Sequence, residues 1–296
     1  MADLLRTPLY DWHVAHHGRM VEFGGWDMPV QYSSIVEEHH AVRRTAGLFD
    51  ISHMGRLRFG GKDACRFLDR MLTNDVSKLQ IGQVRYSLIC NDAGGILDDV
   101  LVYRLPDAYW LVVNASNRLK IVDWLQKQSD NGSADWADVT HSTGMIAVQG
   151  PLTSEALSAD QKDLWSRLKY YGVADESTGP GVARQLLSRT GYTGEDGCEF
   201  IVPAEQTVAV WEQLLKTAAD KQVDLHPCGL GARDTLRREA AMPLYGHELS
   251  ETIDPLTAGL SFAVKLDKPV FIGKQALVEI SQRTGRQVRV GLELAG

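Results

Sequence analysis

A chain of 296 residues, 44 per cent hydrophobic and 23 per cent charged, has ordinary globular composition and is too long for one usual core, which points to two domains. Its formal charge of −7 argues against nonspecific binding of nucleic acid or anionic membrane, because phosphate affinity comes from clustered Lys and Arg. No apolar run reaches the roughly 18 residues of a membrane span, and the N-terminal MADLLRTPLYDWH lacks both a secretory apolar core and an Arg- and Ser-rich transit stretch, so a cytoplasmic location is expected.

In chain order, Ser34 and Glu37 have the spacing of a capping box, and Ile35, His39, Val42 and Ala46 fall on one helical stripe that Gly47 ends. A strand over 56–59 precedes a helix in which Ala64, Phe67, Leu68 and Met71 recur at helical spacing. A meander follows: a strand over 85–90, the turn cluster Asn91-Asp92-Ala93-Gly94-Gly95, a strand over 96–105, and, past Pro106-Asp107-Ala108, a strand over 109–114. Ile121, Val122 and Leu125 mark a helix over 117–128. Strands are expected over 145–149, 184–188 and 198–202, and Val208, Trp211, Leu215 and Ala218 carry a helix over 205–221. Strands clustered in hairpins, with helices interspersed irregularly, predict an α+β fold with antiparallel sheets and flanking helices. No repeat or low-complexity linker divides the chain, so the domains are expected to interleave.

Cys65, Cys90, Cys198 and Cys228 are too scattered for a zinc site or disulfide framework, and the nine histidines form no ligand spacing, so no metal is expected. Neither a P-loop nor a G-x-G-x-x-G that opens a helix after a strand is present.

Three segments carry chemistry. Asp98 and Asp99 sit inside the apolar run GGILDDVLVY, where ionised carboxylates are costly to bury without partners. Alternation puts Asp99, Leu101 and Tyr103 on one face and Asp98, Val100 and Val102 on the other, without saying which face is functional. A plainer role, capping turn amides at a strand start, is equally open. Gly191-Tyr192-Thr193-Gly194-Glu195-Asp196-Gly197 is a loop with three glycines that leads into a strand interrupted by Glu199. That carboxylate can accept two parallel N–H bonds from an amino-heterocycle such as a pterin or guanine, or it can lie exposed on an edge strand. Gly229-Leu230-Gly231 opens a helix that carries Arg233 near its start, where a cation is disfavoured unless it faces an anion. Arg233 is either a carboxylate clamp or one half of a structural pair with Glu199 or Asp234.

These segments, with Thr7-Pro8-Leu9-Tyr10, Phe23-Gly24-Gly25-Trp26-Asp27-Met28-Pro29, Phe49-Asp50-Ile51-Ser52-His53-Met54-Gly55, 91–103, Ala147-Val148-Gln149-Gly150-Pro151, 191–200, 228–240, Pro243-Leu244-Tyr245-Gly246 and Phe271-Ile272-Gly273-Lys274, resemble the aminomethyltransferase, or T-protein, family of the glycine cleavage system. The blocks run in order over nearly the whole chain. The resemblance implies tetrahydrofolate as co-substrate, the lipoyl-bearing H-protein as partner, and no metal. It implies Asp99 as the catalytic aspartate, Glu199 as the pterin-binding glutamate, Arg233 against the folate, and Met54, Tyr86, Tyr103, Val113 and Tyr192 as further lining. It favours the Asp99 and Tyr103 face of the strand. The implied reaction releases ammonia from an aminomethyl group on dihydrolipoyl sulfur and forms 5,10-methylene-tetrahydrofolate.

The resemblance also implies interleaved folate-binding domains: 1–54, 141–172 and 230–280 in one, 55–140 and 173–229 in the other. Residues 281–296 would start a C-terminal β-barrel, largely missing here, with its first strand over 289–294. Phe262 stands where the family often has tryptophan. Two other readings use the same residues. One is a folate-binding protein without transferase activity, either a truncated remnant or a relative of the folate-dependent iron–sulfur maintenance proteins, whose K-G-C-x-x-G-Q motif is absent here. The other is the folate domain of a dimethylglycine or sarcosine oxidising enzyme, which this chain could not supply with a flavin site.

Overall fold

The computed structural model describes residues 3–129, 135–175, 184–285 and 287–291. Chain order alternates between two units, each made of two stretches: Met1–Gly55 with Val139–Met242, and Arg56–Asp138 with Pro243–Gly296. The first unit opens with β1 (Leu5–Arg6), α1 (Tyr10–Ala15), β2 (Arg19–Phe23), β3 (Trp26–Gln31), α2 (Ile35–Arg44) and β4 (Ala46–Asp50). The second is built from β5 (Gly55–Gly60), α3 (Ala64–Met71), β6 (Gln83–Cys90), β7 (Ile96–Arg104), β8 (Tyr109–Val113), α4 (Arg118–Gln128) and β9 (Asp135–Asp138). The chain returns to the first with β10 (Thr143–Gln149), α5 (Thr153–Ala156), α6 (Ala159–Arg167), β11 (Val173–Asp175), β12 (Leu186–Ser188), β13 (Gly197–Pro203), α7 (Thr207–Asp220), β14 (Leu225–Cys228) and α8 (Leu230–Glu239). It ends in the second with α9 (Lys274–Ser281).

In the first unit a six-stranded sheet runs β11-β12-β13-β10-β4-β14, beside a three-stranded sheet β1-β3-β2. Pairing is antiparallel except for β14 on β4 and β1 on β3, which are parallel. One face of the larger sheet buries Leu48, Ile146, Val148, Cys198, Phe200 and Val202 with Trp211 and Leu214 of α7. On the other face α2 lies so close that a Cβ on Gly47 would sit 2.4 Å from Val42 Cγ2.

That contact corrects one expectation. Ala46 does not continue the helical stripe: α2 stops at Arg44, and Ala46–Asp50 is a wholly buried strand. Gly47 is there for close helix-to-strand approach, and tertiary pairing overrides the local helical spacing. At the other end of α2, Ser34 Oγ accepts from the Glu37 amide as expected. Glu38 is buried and ties more together, since its carboxylate accepts from the amides of Tyr32, Ser33 and Gly229, the last being the N-cap of α8.

The second unit has one sheet, β6-β7-β8-β5-β9, which contains the expected meander. Val100, Val102, Leu111 and Val113 face Phe67 and Leu68 of α3 and Ile121 and Leu125 of α4. A second cluster joins Leu88, Cys90 and Ile96 to Leu249, Leu260, Phe271 and Leu277. Lys268 is 3 per cent exposed and its ammonium is held by the Asp69, Leu72 and Asn74 carbonyls, a cation at the C-terminal end of α3.

The two units differ from the expected partition. Residues 173–229 belong with 139–172, because β12 and β13 extend the sheet through β10 while β14 pairs with β4. The chain after Pro243 packs in the second unit, on the Leu88 and Cys90 cluster. Of the barrel strand expected over 289–294, residues 289–291 are described without strand structure and the rest lies outside the described residues. Among the described residues no helix is long and apolar enough to cross a membrane.

Candidate functional site

The candidate side chains fall into two groups, one in each unit. In the first, β13 is an interior strand flanked by β12 and β10. Cys198, Phe200 and Val202 point into the core, which leaves Glu199 and Ile201 on the opposite face. Glu199 is therefore no exposed edge residue; it is only 5 per cent exposed. One carboxylate oxygen, Oε2, accepts from Thr190 Oγ1, whose own partner Ser188 Oγ lies at 2.8 Å. The other oxygen has no donor among the described residues. Burial pushes the Glu199 carboxyl above its ordinary range, while the Thr190 hydroxyl and the charge of Arg233 pull it back.

Arg233 is the fourth residue of α8. The helix can start there only because Gly229 has no side chain: a Cβ would meet Val30 backbone carbon at 2.3 Å. The Arg233 guanidinium stacks over the Tyr192 ring, 4.7 Å from its centroid, and its buried Nη1 has no hydrogen-bond partner among the described residues. Burial works against its charge, and Glu199 and Tyr192 support it. Among the described residues no close ion pair joins it to Glu199, although the two charges act on each other, and Asp234 is engaged by Arg237 and Arg238. A buried cation and a buried carboxylate, both short of partners, are costly to maintain. Together they suit a flat ligand that donates N–H bonds to Glu199 and accepts one from Arg233. Tyr192 and Met54 of this unit are half-buried, Met54 in the turn after β4 where its amide donates to Ile51 O.

In the second unit, β7 divides the aspartate pair. Asp98 shares the helix-covered face with Val100 and Val102, is fully buried, and accepts three N–H bonds: from Asn117 Nδ2 at 2.7 Å, Asn114 Nδ2 at 2.8 Å and the Asn114 amide at 3.0 Å. Asp99, half-buried on the other face, accepts from the Tyr86 hydroxyl at 3.2 Å and from Asn114 Nδ2 at 2.8 Å. One amide thus bridges both carboxylates. Burial pushes both carboxyls well above the ordinary carboxylate range, the neighbouring Asp99 charge raises Asp98 further, and the N–H and O–H donors oppose the shift. A carboxyl raised in this way and open on one face is suited to take up and return a proton near neutral pH.

Tyr103 is fully buried on the Asp99 face, and Tyr86 stacks on Phe262 at 5.7 Å between ring centroids. The Val113 side chain does not share that face. Val112 pairs with Leu101, so Val113 alternates to the opposite side, and its side chain is wholly buried in the helix-covered core. The residues that hold these groups in place were not expected as site residues: Asn114 and Asn117 at the β8 to α4 junction, and Thr190 and Gln149 behind Glu199. Their only signal is polarity at the ends of apolar strands, which does not reveal what they touch.

Residues 9–268 match the GCVT N-terminal domain family. The chain is 48 per cent identical to an aminomethyltransferase of Symbiobacterium thermophilum, covering 99 per cent of this chain and 79 per cent of that protein. It is 45 per cent identical to an aminomethyltransferase of Halalkalibacterium halodurans, covering 99 and 80 per cent respectively. Its structure resembles the crystal structure of glycine cleavage system aminomethyltransferase T from Bartonella henselae, with a TM-score of 0.83, 32 per cent identity, and coverage of 94 per cent of this chain and 75 per cent of that one.

Proposed function

The chain belongs to the GCVT N-terminal domain family, and from that premise we propose that it is an aminomethyltransferase of the glycine cleavage system, with tetrahydrofolate as co-substrate and a lipoyl-bearing H-protein as donor. The observation that carries this reading is the buried Glu199 carboxylate, one oxygen of which lacks a donor among the described residues, in the same unit as an Arg233 guanidinium that stacks on Tyr192 and whose buried Nη1 has no hydrogen-bond partner among them. The amino-pyrimidinone edge of a pterin offers parallel N–H donors to the first and a carbonyl acceptor to the second.

Glu199 and Arg233 would bind and orient tetrahydrofolate, which when bound supplies two nucleophilic nitrogens for the one-carbon unit. The donor loses its C–N and C–S bonds, and two protons leave those nitrogens. One proton ends on ammonia and the other on the lipoyl sulfur, so the exchange balances without oxidant or metal. Asp99 is the residue that holds a proton in transit, and its negative charge stabilises the cationic one-carbon unit. Tyr86, donating to Asp99 Oδ2, fixes the carboxylate orientation.

The test is an assay with aminomethylated H-protein. Ammonia release coupled to 5,10-methylene-tetrahydrofolate, dependent on both substrates, is the expected result. Absence of product from folded protein that binds tetrahydrofolate would leave a binding protein and overturn the transferase reading.

A further inference from the structure

We propose that Gln149 is a positioning residue that holds Tyr192 and Glu199 in the geometry a ligand requires, an inference that rests on the function proposed above. Gln149 ends β10 and is fully buried. Its Oε1 accepts from Thr193 Oγ1 at 3.0 Å, and its Nε2 donates to the Thr190 carbonyl at 3.1 Å. Those two contacts bracket Tyr192. Thr190 in turn places its hydroxyl on Glu199, so one amide controls both the stacking ring and the carboxylate.

The loop is moulded on this side chain. A Cβ on Gly191 would lie 1.9 Å from Gln149 Oε1, and one on Gly197 would lie 2.3 Å from Nε2. Neither glycine has positive φ, so contact and not backbone conformation excludes a larger residue at both: with Gln149 at Gly191, and with Gln149 and the Val148 carbonyl, 2.4 Å away, at Gly197. From the other side Arg43 Nη1 donates to the Thr193 carbonyl at 2.8 Å and to Glu195 at 3.0 Å. The loop is thereby held between an amide and a guanidinium. An amide suits position 149, since Thr193 is met by its acceptor and the Thr190 carbonyl by its donor.

Calorimetric titration with tetrahydrofolate and steady-state kinetics on Gln149→Glu, Gln149→Met, Thr193→Val and Thr193→Ser test this. Gln149→Glu, Gln149→Met and Thr193→Val should raise the Kd and KM for tetrahydrofolate by roughly tenfold or more, with kcat and the KM for H-protein within about threefold of the parent. Thr193→Ser, which keeps the hydroxyl, should retain parental affinity. A merely structural role would lower Tm and leave the Kd of the folded fraction unchanged, and that result would overturn the inference. Should the Gln149 variants fail to fold, the contrast between Thr193→Val and Thr193→Ser decides it. A parent that binds no tetrahydrofolate overturns both this inference and the functional reading; a parent whose affinity falls on Glu199→Gln but not on the Gln149 and Thr193→Val changes overturns this one alone.

Discussion

Two neighbouring aspartates do different work because a strand sends them to opposite faces. Asp98 is enclosed by three N–H donors from Asn114 and Asn117, which is the amide-capping role, while Asp99 has its carboxylate on the other face beside Tyr86. Asp99→Asn keeps a partner for Tyr86 but can neither carry charge nor take a proton, so kcat should fall by roughly 10²–10⁴ with the fold intact. Because burial raises the Asp99 carboxyl, activity should climb with pH through a value above the ordinary carboxylate range as the base form appears. A pH–rate profile with no such limb, or one that survives Asp99→Asn, would move the chemistry elsewhere. Asp98→Asn turns an amide donor toward donors and should cost roughly 1.5–3 kcal/mol in denaturant unfolding, with a smaller loss of turnover per folded molecule. Glu199→Gln replaces one acceptor by a donor and should weaken tetrahydrofolate binding by about 1.5–3 kcal/mol in calorimetry, more than it slows kcat.

At the level of elements, α1 is fastened to β4 by a buried polar chain. His13 Nε2 lies 2.9 Å from Asp50 Oδ2, the Tyr32 hydroxyl lies 2.7 Å from His13 Nδ1, and Thr7 and the Ser52 amide both donate to Asp50. Burial alone would raise the Asp50 carboxyl, but the bonds and charge of His13, with Ser52 and Thr7, outweigh it and hold it at about 2. A carboxyl depressed in the folded state stabilises the protein above its unfolded value, near 4, and that contribution is lost as pH falls toward about 2. Denaturant unfolding between about pH 5 and pH 2 should therefore show roughly 2 kcal/mol of acid-labile stability. Asp50→Asn should remove that dependence and lower stability at neutral pH by about 3–5 kcal/mol, the scale for breaking a buried pair. Equal acid sensitivity in parent and variant would mean that other carboxyls govern acid unfolding.

For the molecule as a whole, each unit needs two stretches of chain that are far apart in sequence. The six-stranded sheet is joined through β10, which pairs with β4 on one side and β13 on the other. A fragment of residues 1–55 lacks β10 and should show no cooperative thermal transition, because β4 would lose its antiparallel neighbour while its buried face stayed uncovered. A sharp, two-state melt of that fragment would contradict the unit boundaries. For the whole chain, tetrahydrofolate at about a hundredfold excess over its Kd should add about 2.7 kcal/mol of stability, whereas NAD and ATP should add none. A flat thermal-shift curve with tetrahydrofolate up to millimolar concentration would remove the binding claim.

Most elements were legible because their signals are local. The meander announces itself through alternation and the Asn91 to Gly95 turn, and α3 through Ala64, Phe67, Leu68 and Met71 on one face. The ordered motif blocks likewise sufficed for the family, since they are properties of the chain and not of its packing. Long-range pairing decided the rest. Ala46 reads as the end of a helix until β10 and β14 claim Ala46–Asp50 as a strand. Glu199 could be an edge residue until β12 and β10 enclose β13, and Val113 shares no face with Asp99 once β8 takes its register against β7. Asn114, Thr190 and Gln149 acquire their meaning only from side-chain atoms many residues away. A residue's period along the chain states which neighbours it can share a face with, but hydrogen-bond partners and burial are set by which distant strand arrives beside it.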